Sequence, residues 1–464
     1  MSRDTIAAIS TAVSEAGIGI VRISGPKAES ITDKIVRNRD RSGFVASMDS
    51  HTIRHGYLFD DEKIIDEVLV SVMKAPHSYT GETVVEINCH GGVLILRRAL
   101  ELVISGGARI AQPGEFSKRA FLNGKLDLSQ AEAVMDIISA GSDKALKASA
   151  GQLTGSLSAK ISKMRDKILH DCAFIESAVD DPEHFDIDGF RDELRSDIES
   201  ILKEAKELSD SFKEGRLLRE GIKTVLIGPP NSGKSSVLNL LTGEDRAIVT
   251  DIAGTTRDTL EEYISFGEVG LRIIDTAGIR STKDAIENIG IDRSKKAADE
   301  ADLIIYIIDG ASVLPEDIDD IFGLARDKES IILLNKSDLE CRTGIEDIKN
   351  RLRDISVDIK DIIEFSALKG NGTIELKEAI RDKFFNEGLS SSSETIITRN
   401  RHKESIDSAI DYLLKTMQSI DDDMSEEFYT PDLMGAYTML GKIIGESVED
   451  DLVDRIFSEF CMGK

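Results

Sequence analysis

The spacing of apolar and polar positions changes several times along the chain, and each change indicates a different kind of element. Over residues 1–118, short β-type runs such as GIGIVRI, EVLVSVM and TVVEINCHGG alternate with two stretches of helical spacing, separated by Gly, Pro and Ser. This pattern predicts a compact α+β domain. From about residue 125 to 215 the apolar residues recur at helical spacing with few breakers, which predicts long antiparallel helices.

A third pattern begins at residues 222–227, where the apolar run IKTVLI has the length and composition of a buried parallel strand. Further strand-like runs follow in LRIIDTAG, ADLIIYIIDG, SIILLNKSD and IIEFSALKG, and helical stretches separate them up to about residue 385. This alternation predicts a doubly wound α/β domain. After the Ser-rich segment 390–393 the chain returns to helix, so the simplest architecture inserts the α/β domain into a helical bundle built from both flanks.

A chain of 464 residues is too long for a single core, and the patterns together predict a multi-domain α/β protein. We expect the α+β domain to comprise residues 1–118. The helical domain would be formed by residues 119–215 and 386–464. The inserted domain would comprise residues 216–385.

The net charge of −27 limits the possible partners. Such a surface repels phosphate backbones, so avid tRNA or DNA binding by this chain alone is disfavoured, and a basic partner or a local basic patch would have to hold nucleic acid. The four cysteines lie far apart without CxxC spacing, which argues against a disulfide framework and fits a reducing cytosol. The N-terminus lacks the pattern of a signal peptide, and no apolar run approaches the ~20 residues that span a bilayer. We therefore expect a cytoplasmic protein without a membrane partner.

The segment GPPNSGKS at residues 228–235 matches the phosphate-binding pattern GxxxxGK[ST] and stands between a strand-like run and a helical stretch. Its glycines allow backbone N–H groups to surround phosphate oxygens at the start of a helix. Lys234 is predicted to neutralise β/γ-phosphate charge, and Ser235 is predicted to ligate Mg²⁺. In the later segment DTAG, Asp275 is predicted to complete the metal shell through water, and Gly278 is predicted to donate its N–H to the γ-phosphate.

The segment NKSD, which follows the strand-like run IILL, indicates that the bound base is guanine. The carboxylate of Asp338 can accept hydrogen bonds from guanine N1–H and N2–H₂, whereas adenine offers no matching donors. Asn335 is expected to tie the loops together, and Lys336 is expected to cover the base. Backbone N–H groups of Ser366-Ala367-Leu368 are expected to complete the pocket. Because NKSD follows GKS and DTAG in this order and spacing, the domain is predicted to bind GTP.

The predicted GTP-contacting residues lie in the phosphate loop, in the following TDIAGTT segment, in DTAG, in NKSD and in SAL. They are Asn231, Ser232, Gly233, Lys234, Ser235, Ser236, Thr250, Asp251, Ile252, Ala253, Gly254, Thr255, Thr256, Asp275, Thr276, Ala277, Gly278, Asn335, Lys336, Asp338, Ser366, Ala367 and Leu368.

Ile279 occupies the position at which many GTPases carry a glutamine that orients the attacking water. Asn231 and the loop at residues 250–258 offer oxygen atoms to a monovalent cation such as K⁺, which would supply the charge that an arginine finger supplies elsewhere. The alternative for Asn231 is an amide that only stabilises its loop. Thr256 is the predicted second Mg²⁺ ligand.

The water itself needs a polar group, and the nearest acid downstream of DTAG is Glu287. Its carboxylate could polarise the water directly or through a second water. A surface carboxylate on a helix is the alternative interpretation. The catalytic candidates are therefore Glu287 and Lys234.

These motifs together resemble the tRNA-modification GTPases of the MnmE (TrmE) type. The resemblance is carried by GIGIVRISG, SYTGETVVEINCHGG, PGEFSKRAFLNGKLDLSQAEAV, GPPNSGKSS, TDIAGTTRD, DTAGIR and the terminal FCMGK. It spans nearly all of the 464 residues. The terminus reads Cys-Met-Gly-Lys where the family usually has Cys-Ile-Gly-Lys, which is a conservative difference.

The resemblance implies a folate-binding N-terminal domain, a helical domain and an inserted Ras-like P-loop GTPase domain. It also implies a homodimer whose GTPase domains meet across their nucleotide faces with K⁺, and a flavoprotein partner, MnmG, in a heterotetramer-type complex that holds the tRNA. The implied activity adds a carboxymethylaminomethyl or aminomethyl-type group to C5 of the wobble uridine, position 34, in certain tRNAs. The one-carbon unit would come from 5,10-methylene-tetrahydrofolate.

The resemblance also implies roles for particular residues. Folate, as a 5,10-methylene- or 5-formyl-tetrahydrofolate, would be contacted by Arg22, Glu86, Lys125 and Lys464. The K⁺ ligands would be Asn231, Thr250, Ile252 and Thr255, and Glu287 would be the general acid/base.

Charge chemistry supports part of the implied folate site. Arg22 and Lys125 are suitable partners for the glutamate tail of a folate, and Glu86 can accept hydrogen bonds from pterin N–H groups. Without the resemblance, surface ion pairs for the two cations and a strand-end carboxylate for Glu86 are the alternatives.

A ribosome-assembly GTPase switch without RNA-modifying chemistry is the competing function. An assembly factor of that kind would normally carry a basic RNA-binding module, and this acidic sequence shows none. The sequence therefore favours the tRNA-modifying enzyme.

Overall fold

The computed structural model describes residues 4–180, 187–244, 262–266, 269–274, 296–315, 318–323, 328–385, 395–446, 448 and 450–463. The chain forms two compact units, one of Met1–Met135 with Gly441–Lys464 and the other of Asp136–Leu440. Within the described ranges, no helix combines the length and the apolar character that crossing a membrane requires. The domain limits given above stay a prediction.

The first unit is built on a seven-stranded sheet with the order β3-β4-β5-β6-β2-β1-β7. The strands are β1 (Ile6–Ile9), β2 (Ala16–Ser24), β3 (Val36–Arg37), β4 (Thr52–Asp60), β5 (Lys63–Met73), β6 (Val84–Gly91) and β7 (Arg109–Ile110). Neighbouring strands are antiparallel, except that β1 and β7 are parallel. The register of β2 and β6 sets Arg22 directly opposite Glu86.

Helices account for much of the rest of the described chain. They are α1 (Ala28–Ile35), α2 (Val93–Ser105), α3 (Glu115–Leu122), α4 (Leu128–Ser139), α5 (Asp143–Leu153), α6 (Ser156–Asp180), α7 (Ile187–Asp210), α8 (Phe212–Glu220), α9 (Lys234–Glu244), α10 (Ile318–Phe322), α11 (Ile345–Asp354), α12 (Thr373–Phe384), α13 (Asn400–Asp421), α14 (Tyr429–Ile444) and α15 (Asp450–Ser458). The long helices predicted between about residues 125 and 215 are confirmed by α6 and α7.

One face of the first sheet is covered by α1 and α2. Along β5, Val68, Val70 and Val72 are buried while Leu69 between them is exposed, which is the period-two alternation of a sheet covered on one side. The buried valines pack with Leu96 and other apolar residues of α2. A smaller apolar cluster joins α4 to helix α15 and the residues after it, and it contains Leu128, Ala131, Val453, Phe457 and Phe460.

The second unit contains a six-stranded sheet with the order β13-β12-β11-β8-β10-β9. Its strands are β8 (Ile222–Ile227), β9 (Glu262–Phe266), β10 (Val269–Ile273), β11 (Leu303–Asp309), β12 (Glu329–Asn335) and β13 (Asp361–Glu364). Neighbouring strands are parallel, except that β9 and β10 are antiparallel.

Both faces of this second sheet are buried. Along β11, Ile305 and Ile307 join one apolar cluster with α9 and α12, whereas Ile304 and Tyr306 join another with α10 and α11. Burial on both faces explains why the strands read as continuous apolar runs in the sequence. The predicted doubly wound α/β domain and the multi-domain α/β class are therefore confirmed.

The helical segments before and after this sheet contact each other within the second unit. Gln152 of α5 donates to the carbonyl of Ile396 at 2.6 Å, and Ser209 of α7 donates to Asp407 of α13 at 2.6 Å. Lys403 of α13 in turn donates to the hydroxyl of Ser209 at 2.8 Å. The predicted insertion of the α/β domain between helices from both flanks is thus confirmed.

Candidate functional site

The phosphate-binding loop connects the end of β8 to the start of α9, and its backbone requires glycine at two positions. Gly233 has a φ of +100°, and a Cβ there would lie 2.2 Å from Asn335 Nδ2. A Cβ at Gly228 would lie 2.1 Å from the carbonyl oxygen of Ile307. Asn231 adopts the left-handed region with a φ of +63°, which asparagine tolerates better than most residues. The loop is therefore closely packed against β11 and Asn335.

Lys234 is held by carbonyls of its own loop. Its Nζ donates to the carbonyls of Gly228 and Pro229, both at 2.8 Å. Burial lowers the pKa of Lys234, because removal from water disfavours its charged form. Ser235 and Ser236 follow in the exposed first turn of α9, where helix N–H groups favour anions. The phosphate and Mg²⁺ roles of these residues stay predictions.

Asn335 links the phosphate loop to the loop after β13. Its Nδ2 donates to the carbonyl of Ser232 at 2.9 Å, and its Oδ1 accepts from the N–H of Ala367 at 3.1 Å. The side chain is buried, so both hydrogen bonds are shielded from water. The structure thus brings three of the predicted GTP-contacting segments together through one amide.

Asp338 and Ser366 form the next contact of this site. The hydroxyl of Ser366 donates to Asp338 Oδ1 at 2.6 Å, and this hydrogen bond lowers the pKa of the Asp338 carboxyl. Asp338 is therefore ionised at neutral pH, as an acceptor for two guanine N–H groups must be. Leu368, two positions after Ser366, is 83% exposed.

Lys336 adopts a left-handed φ of +64°, and its Nζ lies 2.6 Å from Asp309 Oδ2 at the end of β11. Sequence reasoning did not select Asp309. Its position as the last residue of a strand-like run could have identified it, because parallel strands bring their carboxyl ends to one edge of a sheet.

Several predicted residues lie outside the described residues, so their roles stay predictions. They are Thr250, Asp251, Ile252, Ala253, Gly254, Thr255, Thr256, Asp275, Thr276, Ala277, Gly278, Ile279, Glu287 and Lys464.

In the first unit, Arg22 and Glu86 form an ion pair across β2 and β6. Arg22 Nε donates to Glu86 Oε1 at 2.8 Å, and each side chain is 19% exposed. Arg22 Nη1 also donates to the carbonyl of Gly463 at 3.3 Å, and the hydroxyl of Ser10 donates to the same carbonyl at 3.0 Å. The C-terminal tail therefore lies beside this ion pair. Glu86 lies within β6, so the alternative of a strand-end carboxylate is wrong.

Two aromatic rings, which sequence reasoning did not select, flank the guanidinium of Arg22. Its Cζ lies 5.6 Å from the ring centroid of Tyr79 and 5.7 Å from that of Phe116, which are cation–π distances. Lys125 follows α3 and is exposed. No ion pair or side-chain hydrogen bond of Lys125 is present among the described residues, in contrast to Arg22.

A mainly parallel sheet that carries a phosphate loop after β8 and an Asn-Lys-Ser-Asp segment at the end of β12 defines a P-loop nucleotide-binding domain of the GTPase class. Comparison with known proteins identifies the family more closely. Residues 128–461 match the family model of the MnmE helical domain, and residues 5–125 match that of the GTP-binding protein TrmE N-terminus.

Similar full-length relatives carry the name tRNA modification GTPase MnmE. The chain is 49% identical over 464 residues to the protein from Lachnoclostridium phytofermentans, with 100% of both chains covered. It is 46% identical to that from Acetivibrio thermocellus and 43% identical to that from Clostridioides difficile, with 99% of both chains covered in each comparison. The chain therefore belongs to the MnmE family of tRNA modification GTPases, which are GTP-hydrolysing enzymes.

Proposed function

We propose that this chain is a K⁺-activated GTPase that acts in the cytoplasm with a flavoprotein of the MnmG type. Together they would add a carboxymethylaminomethyl or aminomethyl-type group to C5 of the wobble uridine in certain tRNAs. Family membership supports GTP hydrolysis in tRNA modification. The observation that carries the proposal is the guanine-type loop, in which Asn335 joins the loops of Ser232 and Ala367 and Ser366 fixes Asp338.

The proposed cation sites use oxygen donors, which suit hard cations such as Mg²⁺ and K⁺. Ser235 and Thr256 would hold Mg²⁺, and Asn231 would hold K⁺ together with Thr250, Ile252 and Thr255. The exposed, left-handed Asn231 supports this role, because its amide stands at the surface of the phosphate loop. When bound, K⁺ would supply positive charge beside the phosphates, and Glu287 would accept a proton from the attacking water.

This part of the proposal is tested by GTP turnover in K⁺ and Na⁺ buffers of matched ionic strength. The wild-type rate should be much higher in K⁺, and Asn231→Ala should remove most of the difference. Glu287→Ala should lower kcat with little change in GTP affinity, since the interaction is made in the transition state. Equal wild-type rates in the two salts would contradict K⁺ activation.

We also propose that the first unit binds a tetrahydrofolate derivative through Arg22, Glu86, Lys125 and Lys464. The Arg22–Glu86 pair supports this, because it provides N–H donors and carboxylate acceptors side by side in a partly exposed position. The nearby C-terminal tail also supports it, because Gly463 directly precedes Lys464. The bound folate would supply the one-carbon unit.

Calorimetry of the full-length protein with 5-formyl-tetrahydrofolate tests the folate site. Arg22→Ala should weaken binding at least tenfold, or ~1.4 kcal/mol, because it removes the donor that also contacts the tail. Arg98→Ala is a matched control, since Arg98 forms surface ion pairs with Asp60 and Glu101 elsewhere in the same unit. An Arg22→Ala protein with wild-type affinity would exclude Arg22 from the site.

The net charge of −27 supports a partner that holds the tRNA. We propose a homodimer that associates with the flavoprotein in a heterotetramer-type complex. The chain alone should bind tRNA weakly with a steep salt dependence, and addition of the flavoprotein should give tight retention. Tight binding of tRNA by this chain alone at physiological salt would contradict the proposal.

A further inference from the structure

Asp309 lies where two parallel strands end together, beside the loop that carries Lys336. It is the last residue of β11 and stands in register with Asn335, the last residue of β12. The next residue, Gly310, donates its N–H to the carbonyl of Asn335 at 2.8 Å. The two strand ends are therefore joined, which fixes the backbone of Asp309 relative to Lys336.

The carboxylate of Asp309 is oriented by hydrogen bonds from the next residues of the chain as well as by Lys336. Oδ1 accepts from the N–H of Ala311 at 3.0 Å, and Oδ2 accepts from the hydroxyl of Ser312 at 3.0 Å. Oδ2 also accepts from Lys336 Nζ at 2.6 Å. Burial alone would raise the pKa of Asp309, but these hydrogen bonds outweigh burial and keep it below its ordinary value. The carboxylate is thus charged at neutral pH and directed at one ammonium group.

The ion pair with Asp309 fixes the side chain of Lys336, which would otherwise be free to move. Its backbone is already fixed, because φ is +64° and its carbonyl accepts from the N–H of Leu339 at 2.9 Å. Its long side chain, in contrast, would sample many rotamers if the ammonium were free. The ion pair with Asp309 restricts the side chain to rotamers that bring the ammonium to the end of β11. The side chain remains 31% exposed, so the stem can still meet a ligand.

We propose that Asp309 is a positioning residue for guanine nucleotides, which holds the Lys336 ammonium so that the aliphatic stem lies against the base. The inference rests on the proposed guanine pocket, in which Lys336 covers the base. Because the stem would contact the base and not the phosphates, Asp309 should contribute equally to GTP and GDP binding. It should contribute little to kcat once the site is saturated.

A double-mutant cycle in the full-length protein tests this inference. The variants are Asp309→Asn, Lys336→Ala and the double variant, and the measurements are Kd for GDP and a non-hydrolysable GTP analogue, and kcat at saturating GTP. We expect Asp309→Asn to weaken both nucleotides about fivefold to tenfold with kcat within twofold of wild type. In the Lys336→Ala background, Asp309→Asn should have no further effect.

Two further variants separate positioning from loop stability. Lys336→Met keeps the stem but loses the ammonium, so it should repeat the Asp309→Asn defect even if Asp309→Asn folds poorly. Asp319→Asn is the matched control, because Asp319 of α10 pairs with Arg351 at 2.7 Å in the same α/β domain. It should bind both nucleotides like wild type.

Three outcomes would overturn the inference. Asp309→Asn could bind nucleotides as tightly as wild type, Asp309→Asn could weaken binding equally in the wild-type and Lys336→Ala proteins, or Lys336→Met could bind nucleotides as tightly as wild type. Failure of the guanine pocket itself would be visible separately, as equal affinity of the wild-type protein for GTP and ATP.

Discussion

The guanine-type loop of the second unit and the Arg22 site of the first unit are built in different ways. Asn335 and Asp338 lie within four residues at the end of strand β12, and their respective partners Ala367 and Ser366 follow the neighbouring strand β13. Arg22 and Glu86, in contrast, lie within two antiparallel strands, and the carbonyl that Arg22 also contacts belongs to Gly463, 441 positions away. The residues that would recognise the base therefore lie close together in the sequence, whereas Arg22, Glu86 and Gly463 come from distant segments.

This difference has a physical consequence. In the guanine-type loop, each polar side chain is fixed by a hydrogen bond to a neighbouring loop, so removing one functional group should affect ligand recognition more than folding. In the Arg22 site, the C-terminal tail is part of the structure, and a backbone change in the tail should act on the site as strongly as a change of side chain. The following predictions separate these two cases.

The largest effect is expected for Asp338→Asn. In the proposed guanine pocket, Asp338 accepts hydrogen bonds from two guanine N–H groups. An amide would leave one of these groups facing a donor, so we expect GTP binding to fall roughly 100-fold or more. Xanthosine triphosphate should bind the variant better than the wild type, because its C2 carbonyl accepts a hydrogen bond from the amide. Kd measurements with both nucleotides check this, and Ser366→Ala should cause a smaller loss. Unchanged GTP affinity in Asp338→Asn would remove guanine recognition from this loop.

Gly463→Ala should have an intermediate effect, confined to the first unit. Gly463 has a φ of +87°, and a Cβ there would lie 2.3 Å from the carbonyl oxygen of Ile9, so alanine should displace the tail from Arg22 and Ser10. We expect affinity for 5-formyl-tetrahydrofolate to fall about tenfold, with GTP affinity unchanged. Gly107→Ala is the control, since Gly107 has a φ of +111° but no atom within 4 Å of its Cβ position. Equal affinity of the two variants for 5-formyl-tetrahydrofolate would show that the position of the C-terminal tail does not affect folate binding.

The smallest effect on ligand binding is expected at Asp171 of α6, a buried carboxylate that belongs to neither site, and its effect should instead be on the stability of the fold. Neither of its oxygens has a hydrogen-bond partner among the described residues, and His170 Nδ1 is 3.7 Å away. Burial and then the charge of Asp197 raise the pKa of Asp171 to about 7. The folded state therefore keeps a proton that the unfolded chain releases from about pH 4 upward.

It follows that the free energy of unfolding should fall as pH rises from about 4 to about 7, by at most about 1.4 kcal/mol per pH unit from this group. Above about pH 7 this contribution should level off. Asp171→Asn should reduce this dependence of the unfolding free energy on pH. Thermal unfolding of the wild type and the variant between pH 5 and 8 measures the dependence. A mutant with the same pH dependence as wild type would show that Asp171 is already ionised in the folded state.

The sequence predicted the second sheet well, and it correctly placed the phosphate loop and the Asn-Lys-Ser-Asp segment at the ends of strands. Fully buried strands read as continuous apolar runs, and these polar segments come where the runs end. The sequence did not identify Asp309, which is 27 positions from Lys336 and meets it only through the pairing of β11 with β12. It also could not place Arg22 opposite Glu86, because that pairing depends on the register of β2 and β6. The resemblance named both residues, but not the rings of Tyr79 and Phe116 that flank Arg22.

The central claim, that this GTPase serves the modification of wobble uridine, is tested most directly by mass spectrometry of tRNA nucleosides. The tRNA would come from cells that lack the gene and from the same cells complemented with wild type or with Asp338→Asn. The account predicts that C5-aminomethyl-type uridines disappear in the deletion strain, return with the wild-type gene and do not return with Asp338→Asn. An unchanged nucleoside profile in the deletion strain would contradict it.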